Sequence, residues 1–250
     1  MLIKRFIPLL LLSFFSPDIS AQDEIETDRP DHTETASIVP AGRFQSESGF
    51  QLTKTDKDAK EFFLPQTLWK FGLNDRVELR LITELTYNKY KDSIDTGLSP
   101  VTVGFKVNLF KEKGLLPETS FIAHLVLPKV ASKDLKANLL APELLFLFDN
   151  ELSDKASLGY NIGVKWDGES PDPIYAYTFA PDFKLNDKCK VFVESYGYLP
   201  EHQHPEHWVD GGFIWLVTSN LQLDIAGSYE LTSNAHFHQY FETVGISFRI

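Results

Sequence analysis

The sequence predicts an all-β fold, a closed antiparallel transmembrane β-barrel of about twelve strands. Three observations lead there. From about residue 43 onward apolar and polar residues alternate with a period of two, and no stretch places apolar residues at i, i+3, i+4 and i+7. The segments are joined alternately by short turns and by longer polar loops, as in outer-membrane barrels. The last strand, Tyr240 to Ile250, runs to the final residue, as the strands of such barrels do.

The N-terminus is read as an address. Lys4 and Arg5 precede an apolar stretch from Phe6 to Phe15, and Ser20 and Ala21 stand before the acidic run Gln22-Asp23-Glu24, which is signal-peptide architecture over residues 1–21. A membrane anchor fits less well, because the apolar stretch is about ten residues long and Pro8 interrupts it, well short of a span. No cysteine stands at the cleavage region, so a lipid anchor is not expected. Residues 22–42 are acidic, contain Pro30 and Pro40 and do not alternate, so they are expected to form a plug in the lumen or a periplasmic tail. Residues 43–250 are expected to be the barrel.

Within that barrel the clearest strand sets Val77, Leu79, Leu81, Leu85 and Tyr87 on one face and Glu78, Arg80, Glu84 and Thr86 on the other. Val101 to Leu109, Leu158 to Trp166 and Leu221 to Tyr229 repeat the pattern. Twelve strands are expected to begin near residues 43, 61, 76, 99, 118, 139, 156, 173, 189, 207, 221 and 239. An even count suits closure, and closure matters because each unpaired backbone group in hydrocarbon costs several kcal/mol.

Short turns are expected at Leu73 to Arg76, Leu152 to Lys155, Leu185 to Lys188 and Thr218 to Leu221, all rich in the Asn, Asp and Ser that tolerate tight reversals. A fifth, Lys111 to Pro117, is looser. Longer loops are expected at Thr53 to Lys60, Asn88 to Ser99, Lys129 to Asn138, Asp167 to Asp172, Pro200 to Glu206 and Ser233 to His238. Alternation alone does not say which face points outward, so a secreted β-sandwich or lipocalin-like barrel with its apolar face inside is the competing fold. Long strands with Glu, Arg, Lys and Gly on one side favour the membrane.

Composition agrees. Mean hydropathy is only -0.17 with 24% charged residues, as expected where lipid-facing and lumen-facing residues cancel, and no interior apolar run approaches the ~20 residues of a membrane helix. Aromatic residues make up 13% and cluster near strand ends, where interfacial girdles would use them. A net charge of -11 argues against a nucleic-acid partner, which needs clustered Lys and Arg. A single cysteine, Cys189, excludes an intramolecular disulfide.

Several short motifs carry a family resemblance. Thr27-Asp28-Arg29-Pro30-Asp31-His32-Thr33-Glu34-Thr35, then Val39-Pro40-Ala41-Gly42-Arg43-Phe44, Trp69-Lys70-Phe71-Gly72-Leu73-Asn74-Asp75-Arg76, Gly97-Leu98-Ser99-Pro100 and the closing Val244-Gly245-Ile246-Ser247-Phe248-Arg249 occur in order along nearly the whole mature chain. Together they resemble the meta-pathway phenol degradation family of outer-membrane "transporter" proteins. The resemblance implies a barrel in the outer membrane that passes small compounds, aromatic or hydrophobic ones among them, and implies no catalytic set. Ile250 departs from the terminal aromatic common in such proteins, with Phe248 as the substitute.

The candidate pathway residues are those expected to line the lumen: Glu47, Glu78, Arg80, Glu84, Lys106, Lys165, Glu194, Asp224 and Glu242. Charges of both signs there would tune selectivity or fill a small barrel with ion pairs. Asp28, Arg29, Pro30 and Asp31 form the N-terminal motif, with Arg29 expected to pin it to wall charges. His202, His204, His207, His236 and His238 gather in two neighbouring loops, but they alternate with Pro and Glu on mobile connections, so a solvated rim is expected rather than a metal site.

The reading is therefore a channel for passive movement of small solutes, with no cofactor and no enzymatic role. Its expected partners are the outer-membrane bilayer, a small-molecule solute and the barrel-assembly machinery. Two other classes stay open: a structural or partner-binding barrel without transport, and a lipid-modifying enzyme, for which Ser120 and His124 on one strand are the nearest candidates.

Overall fold

A computed structural model describes residues 24–90, 93–232 and 237–250. The signal-peptide reading of residues 1–21 and the position of His236 lie outside the described residues. Thirteen strands form a single antiparallel sheet. They are β1 (Phe44–Asp56), β2 (Ala59–Asn74), β3 (Val77–Tyr90), β4 (Ser93–Leu98), β5 (Val101–Phe110), β6 (Glu118–Leu127), β7 (Ala141–Ser153), β8 (Ala156–Lys165), β9 (Ile174–Asn186), β10 (Cys189–Pro200), β11 (Glu206–Thr218), β12 (Leu221–Glu230) and β13 (Tyr240–Arg249). Each strand pairs with its neighbour in sequence, except that β5 pairs with β3 rather than β4, and β1 pairs with β13, Gln45 opposite Arg249 and Lys54 opposite Tyr240, so the sheet closes on itself.

Twelve strands make the barrel and begin within two residues of the expected positions. The thirteenth, β4, lies in what the sequence suggested was loop. It pairs with the outer part of β3, Leu85 opposite Leu98, while β5 pairs with the inner part, Val77 opposite Val107. A 3-10 turn at Lys133–Leu135 follows Ser132, whose hydroxyl accepts from the Leu98 N–H at 2.9 Å. The connection expected at Thr53 to Lys60 is also mostly strand, since β1 and β2 extend to Asp56 and back from Ala59.

The four look-alike short turns share one device. Asn74 accepts from the Arg76 N–H at 2.9 Å, Ser153 from Lys155 at 3.3 Å, Asn186 from Lys188 at 2.9 Å and Thr218 from Asn220 at 3.2 Å. Each is a side chain satisfying a backbone donor two residues on, which fixes the reversal locally. These turns and both ends of the barrel chain share one rim, the short-turn end, and the longer connections share the other.

The distribution of polarity is inverted relative to a water-soluble protein. Glu78 and Lys106 are 0% exposed and Arg80 is 3% exposed, while Phe50, Leu79, Leu85, Ile162 and Ile225 lie bare on the outer surface. Outward rings gather near both rims, Tyr175 and Tyr229 toward the long loops and Phe71, Phe110, Phe183 and Trp215 toward the short turns. A sandwich or lipocalin-like barrel would bury the apolar face and show the charges. Here the reverse holds, which is stable only against hydrocarbon.

Candidate functional site

The lumen is not empty. Residues 24–42 form a loop that enters from the short-turn end and returns there: the Ile25 N–H donates to the Ser219 carbonyl at 2.8 Å, and the Gly42 N–H to the Gly72 carbonyl at 2.8 Å. Its tip reaches mid-barrel, where His32 stacks on Tyr196 at 4.1 Å between ring centroids and lies edge-on to Phe241 at 5.6 Å.

Irregular backbone inside a barrel needs hydrogen-bond partners, and the wall supplies them as carboxylates. Glu47 Oε2 accepts from the Asp28 and Arg29 N–H groups at 2.9 and 3.1 Å, Glu194 Oε2 from His32 at 2.7 Å, Asp149 Oδ2 from Ala36 at 2.6 Å and Glu78 Oε2 from Val39 at 2.8 Å. Ala36 itself packs without exposure against Ile122, Leu145 and Leu147.

At the centre of this arrangement the loop contributes an anion to a group of wall cations. Asp28 accepts from Lys70 at 2.8 Å, from Arg80 at 3.0 Å and from Lys106 at 3.0 Å. Arg80 also binds Glu34 through Nη2, at 2.8 and 2.6 Å, and Glu78 at 3.1 Å, while Lys70 reaches Glu47 at 2.5 Å. Burial by itself would raise the Asp28 carboxyl, but Lys106, Lys70 and Arg80 outweigh it and hold the group well below its ordinary value of 3.8. On the opposite side Arg29 Nη2 donates to Asp224 and to Thr243, both at 2.9 Å. Its guanidinium lies over Gly49 and Gly245, partners across β1 and β13, in space that a Cβ at either position would take.

The loop divides the interior. Toward the long loops lies a cavity of about 320 Å³ whose lining includes Leu68, Ile82, Leu145, Tyr177, Tyr198 and Phe241. It shares Ile82, Glu143, Lys165 and Tyr198 with a wider vestibule of about 550 Å³ nearer the rim. Toward the short turns lies a cavity of about 230 Å³, bounded by Glu118, Asp149, Asp182, Lys184 and Lys190 among others. Arg29 and Asp31 line the cavities on both sides.

Residues 27–250 match the family described as "Putative MetA-pathway of phenol degradation". The chain belongs to this family. A comparison with curated protein sequences found no match. Among solved structures, an outer membrane channel from Pseudomonas putida F1 superposes with a TM-score of 0.64 at 12% identity, covering 90% of this chain and 100% of that one. The NanC porin gives 0.56 at 10% identity, over 82% of this chain and 98% of its own. The KdgM porin in complex with disordered oligogalacturonate gives 0.55 at 9% identity, again over 82% and 98%. At these identities the likeness is one of fold.

Within this family member, Glu47, Glu78, Arg80, Lys106, Glu194 and Asp224 are all buried inside the barrel, and all six contact the loop directly, Asp224 through Arg29. Glu84 accepts from Gln66 at 2.7 Å, and the Lys165 ammonium sits 3.6 Å from the centre of the Tyr198 ring. Glu242 is the exception. It shares parity with Val244 and Ile246, so it faces outward with them, beside Leu52 and Gly227 in register. Phe241 takes the inward position instead, packed with Tyr196 and Trp208.

The described histidines of these loops do not converge. His202 and His204 are exposed, His207 Nδ1 bonds the Tyr177 hydroxyl at 2.9 Å, and His238 stacks on Tyr229. Among the described residues no group of three His, Cys, Asp or Glu side chains is placed to hold a metal ion. Ser120 and His124 do not meet either: Ser120 donates to the Ala36 carbonyl, and His124 lies between Glu143 at 2.7 Å and Arg80 at 3.1 Å. Sequence reasoning passed over Lys70, Asp149 and Asp210. Lys70 and Asp210 sit on segments whose inward parity was open to inspection, whereas Asp149 follows a run, Leu144 to Phe148, too uniformly apolar to assign faces.

Proposed function

We propose that the protein is an outer-membrane channel for passive movement of small solutes, aromatic and hydrophobic ones included, with the N-terminal loop as its restricting element. The observation behind this reading is that the lumen is interrupted by a hydrogen-bonded loop rather than by wall side chains, with cavities of about 320 and 230 Å³ on its two sides meeting at Arg29 and Asp31. Cavities of ~300–1,000 Å³ hold small molecules, so the outer one suits a solute of about one ring. Tyr177, Tyr198 and Phe241 offer it aromatic walls. The short turns would face the periplasm and the long loops the exterior.

The test is conductance in planar bilayers and swelling of proteoliposomes with graded solutes, for the mature protein and for a form lacking residues 24–39. A small conductance that grows several-fold when the loop is removed, with larger solutes then admitted, is the expected result. Folded barrels that stay impermeable in both forms would reject the channel in favour of a structural or partner-binding barrel. Recovery of the protein outside the outer-membrane fraction would reject the location.

A further inference from the structure

We propose that the Arg29 side chain, folded into a slot between Gly49 and Gly245, is the movable part of the barrier and sets the size of solute that passes while the N-terminal loop stays inserted; the inference rests on the channel reading above. Arg29 lines the cavity on each side of the loop. Gln51, which shares parity with Gly49 on β1, lines the cavity toward the long loops, and Gln222, which shares parity with Asp224 on β12, lines the one toward the short turns. Between these two levels Gly49 and Gly245 stand opposite each other across β1 and β13, and the atoms nearest to a Cβ at Gly49 all belong to the Arg29 guanidinium. The wall thus puts no side chain into this part of the seam. What fills it is Arg29.

The guanidinium is held through one nitrogen. Nη2 donates to Asp224 and Thr243, whereas Nε has no hydrogen-bond partner among the described residues. The loop as a whole is held far more firmly. Its withdrawal breaks the contacts of Asp28 with Lys70, Arg80 and Lys106 together with the backbone bonds to Glu47, Glu194, Asp149 and Glu78. Swinging one long side chain out of the slot breaks only the bonds to Asp224 and Thr243 and leaves the loop backbone in place. As the guanidinium leaves, the two cavities join and water reaches Asp224, which limits the cost of parting the ion pair. Movement of Arg29 is therefore the less costly way to open a path.

Asp31 also lines both cavities, but beyond it the loop is fastened to the wall by its own backbone. The His32 N–H donates to Glu194 at 2.7 Å and the Glu34 N–H to Asn161 at 2.8 Å, the Thr33 hydroxyl donates to Glu194 at 2.6 Å, and the His32 ring packs on Tyr196. Opening that side means stripping buried backbone groups of their partners. On the Gly49 and Gly245 side only the end of a flexible side chain stands in the way. The seam between β1 and β13 is the side on which the barrier yields.

Swelling of proteoliposomes with uncharged sugars and polyols of graded size tests this, because solute charge then plays no part. Arg29→Ala should raise the uptake of a pentose several-fold, and Gly49→Val added to Arg29→Ala should refill the slot and bring uptake back to near the parent rate. Arg29 takes no part in strand pairing, so Arg29→Ala assembles, and Gly49→Ala replaces Gly49→Val if the larger side chain hinders folding. Position of the loop is read separately, with Thr33→Cys in a Cys189→Ser background: labelling by a water-soluble maleimide should be equally slow with and without Arg29→Ala. Unchanged uptake in Arg29→Ala, a rise that neither Gly49 substitution reverses, or a rise accompanied by faster labelling would overturn the inference. So would a rise with Asp31→Ala and none with Arg29→Ala. In each of these cases a permeable form lacking residues 24–39 leaves the channel reading standing. If that form is impermeable as well, the channel reading falls and this inference with it.

Discussion

Asp28→Asn should release the N-terminal loop without opening the barrel. Asp28 is the only acid of the loop that touches Lys70, Arg80 and Lys106 together, and its side chain is 4% exposed, so solvent does little to screen these contacts. Removing one member of a buried ion cluster costs about 3–5 kcal/mol because its partners stay behind unpaired. Glu34, Glu47 and Glu78 still share those cations, and the amide keeps one acceptor oxygen, which places the loss near the lower end. About 3 kcal/mol is roughly a hundredfold in the ratio of withdrawn to inserted loop, at ~1.4 kcal/mol per factor of ten. Thr33, 4% exposed at the tip of the loop, supplies the reporter. With Thr33→Cys in a Cys189→Ser background, labelling by a water-soluble maleimide should be about a hundred times faster when Asp28→Asn is added. Heat-modifiable gel mobility should be unchanged, because no strand pairing involves Asp28. A labelling rate within about threefold of the parent, in a folded barrel, would show that this cluster does not hold the loop.

The same cluster fixes a pH dependence. The folded value of Asp28 lies below its unfolded one, so its contribution is present above about pH 3.8 and is lost as pH falls through the depressed value; conductance should rise as pH falls below about 3.8, and the absence of any rise between about pH 4 and 2 would refute the assignment. Gly49→Val should displace the Arg29 guanidinium and break its bond to Asp224 while the barrel still assembles, because the obstructed atoms are the end of a flexible side chain; unchanged conductance and labelling would count against the role given to Arg29. Glu242→Leu should leave conductance unaltered and change stability by less than about 1 kcal/mol, since an outward acid near the rim costs little. Glu78→Leu, by contrast, should weaken loop insertion, for it strips the acceptor from Val39 and a partner from Arg80, and equal effects of the two substitutions would mean that the faces have been misassigned.

Strand number, strand starts and short turns were legible because each depends on neighbours along the chain. Period-two alternation gives the faces, and an Asn, Ser or Thr bonding two residues ahead gives the reversal. The misplacement of Glu242 was avoidable, since its parity with Val244 is a local fact. The extra strand β4 was not legible. Ser93 to Leu98 is only six residues long, with Ile94 and Leu98 its sole apolar side chains, too short to stand out from the polar stretch around it, and it became a strand because the outer part of β3 had backbone groups left to pair.

What the sequence by itself determined is the pattern: an alternating chain with a charged face, an acidic segment ahead of it, and a family membership written in short motifs. Only the tertiary structure decided that the charged face is the inside and that Asp28 meets Lys70, Arg80 and Lys106 from 42, 52 and 78 residues away. Alternation is the same whichever way a sheet curls. The curl is chosen only when β1 closes on β13 and the wall carboxylates find the loop's backbone N–H groups, contacts that no local segment encodes.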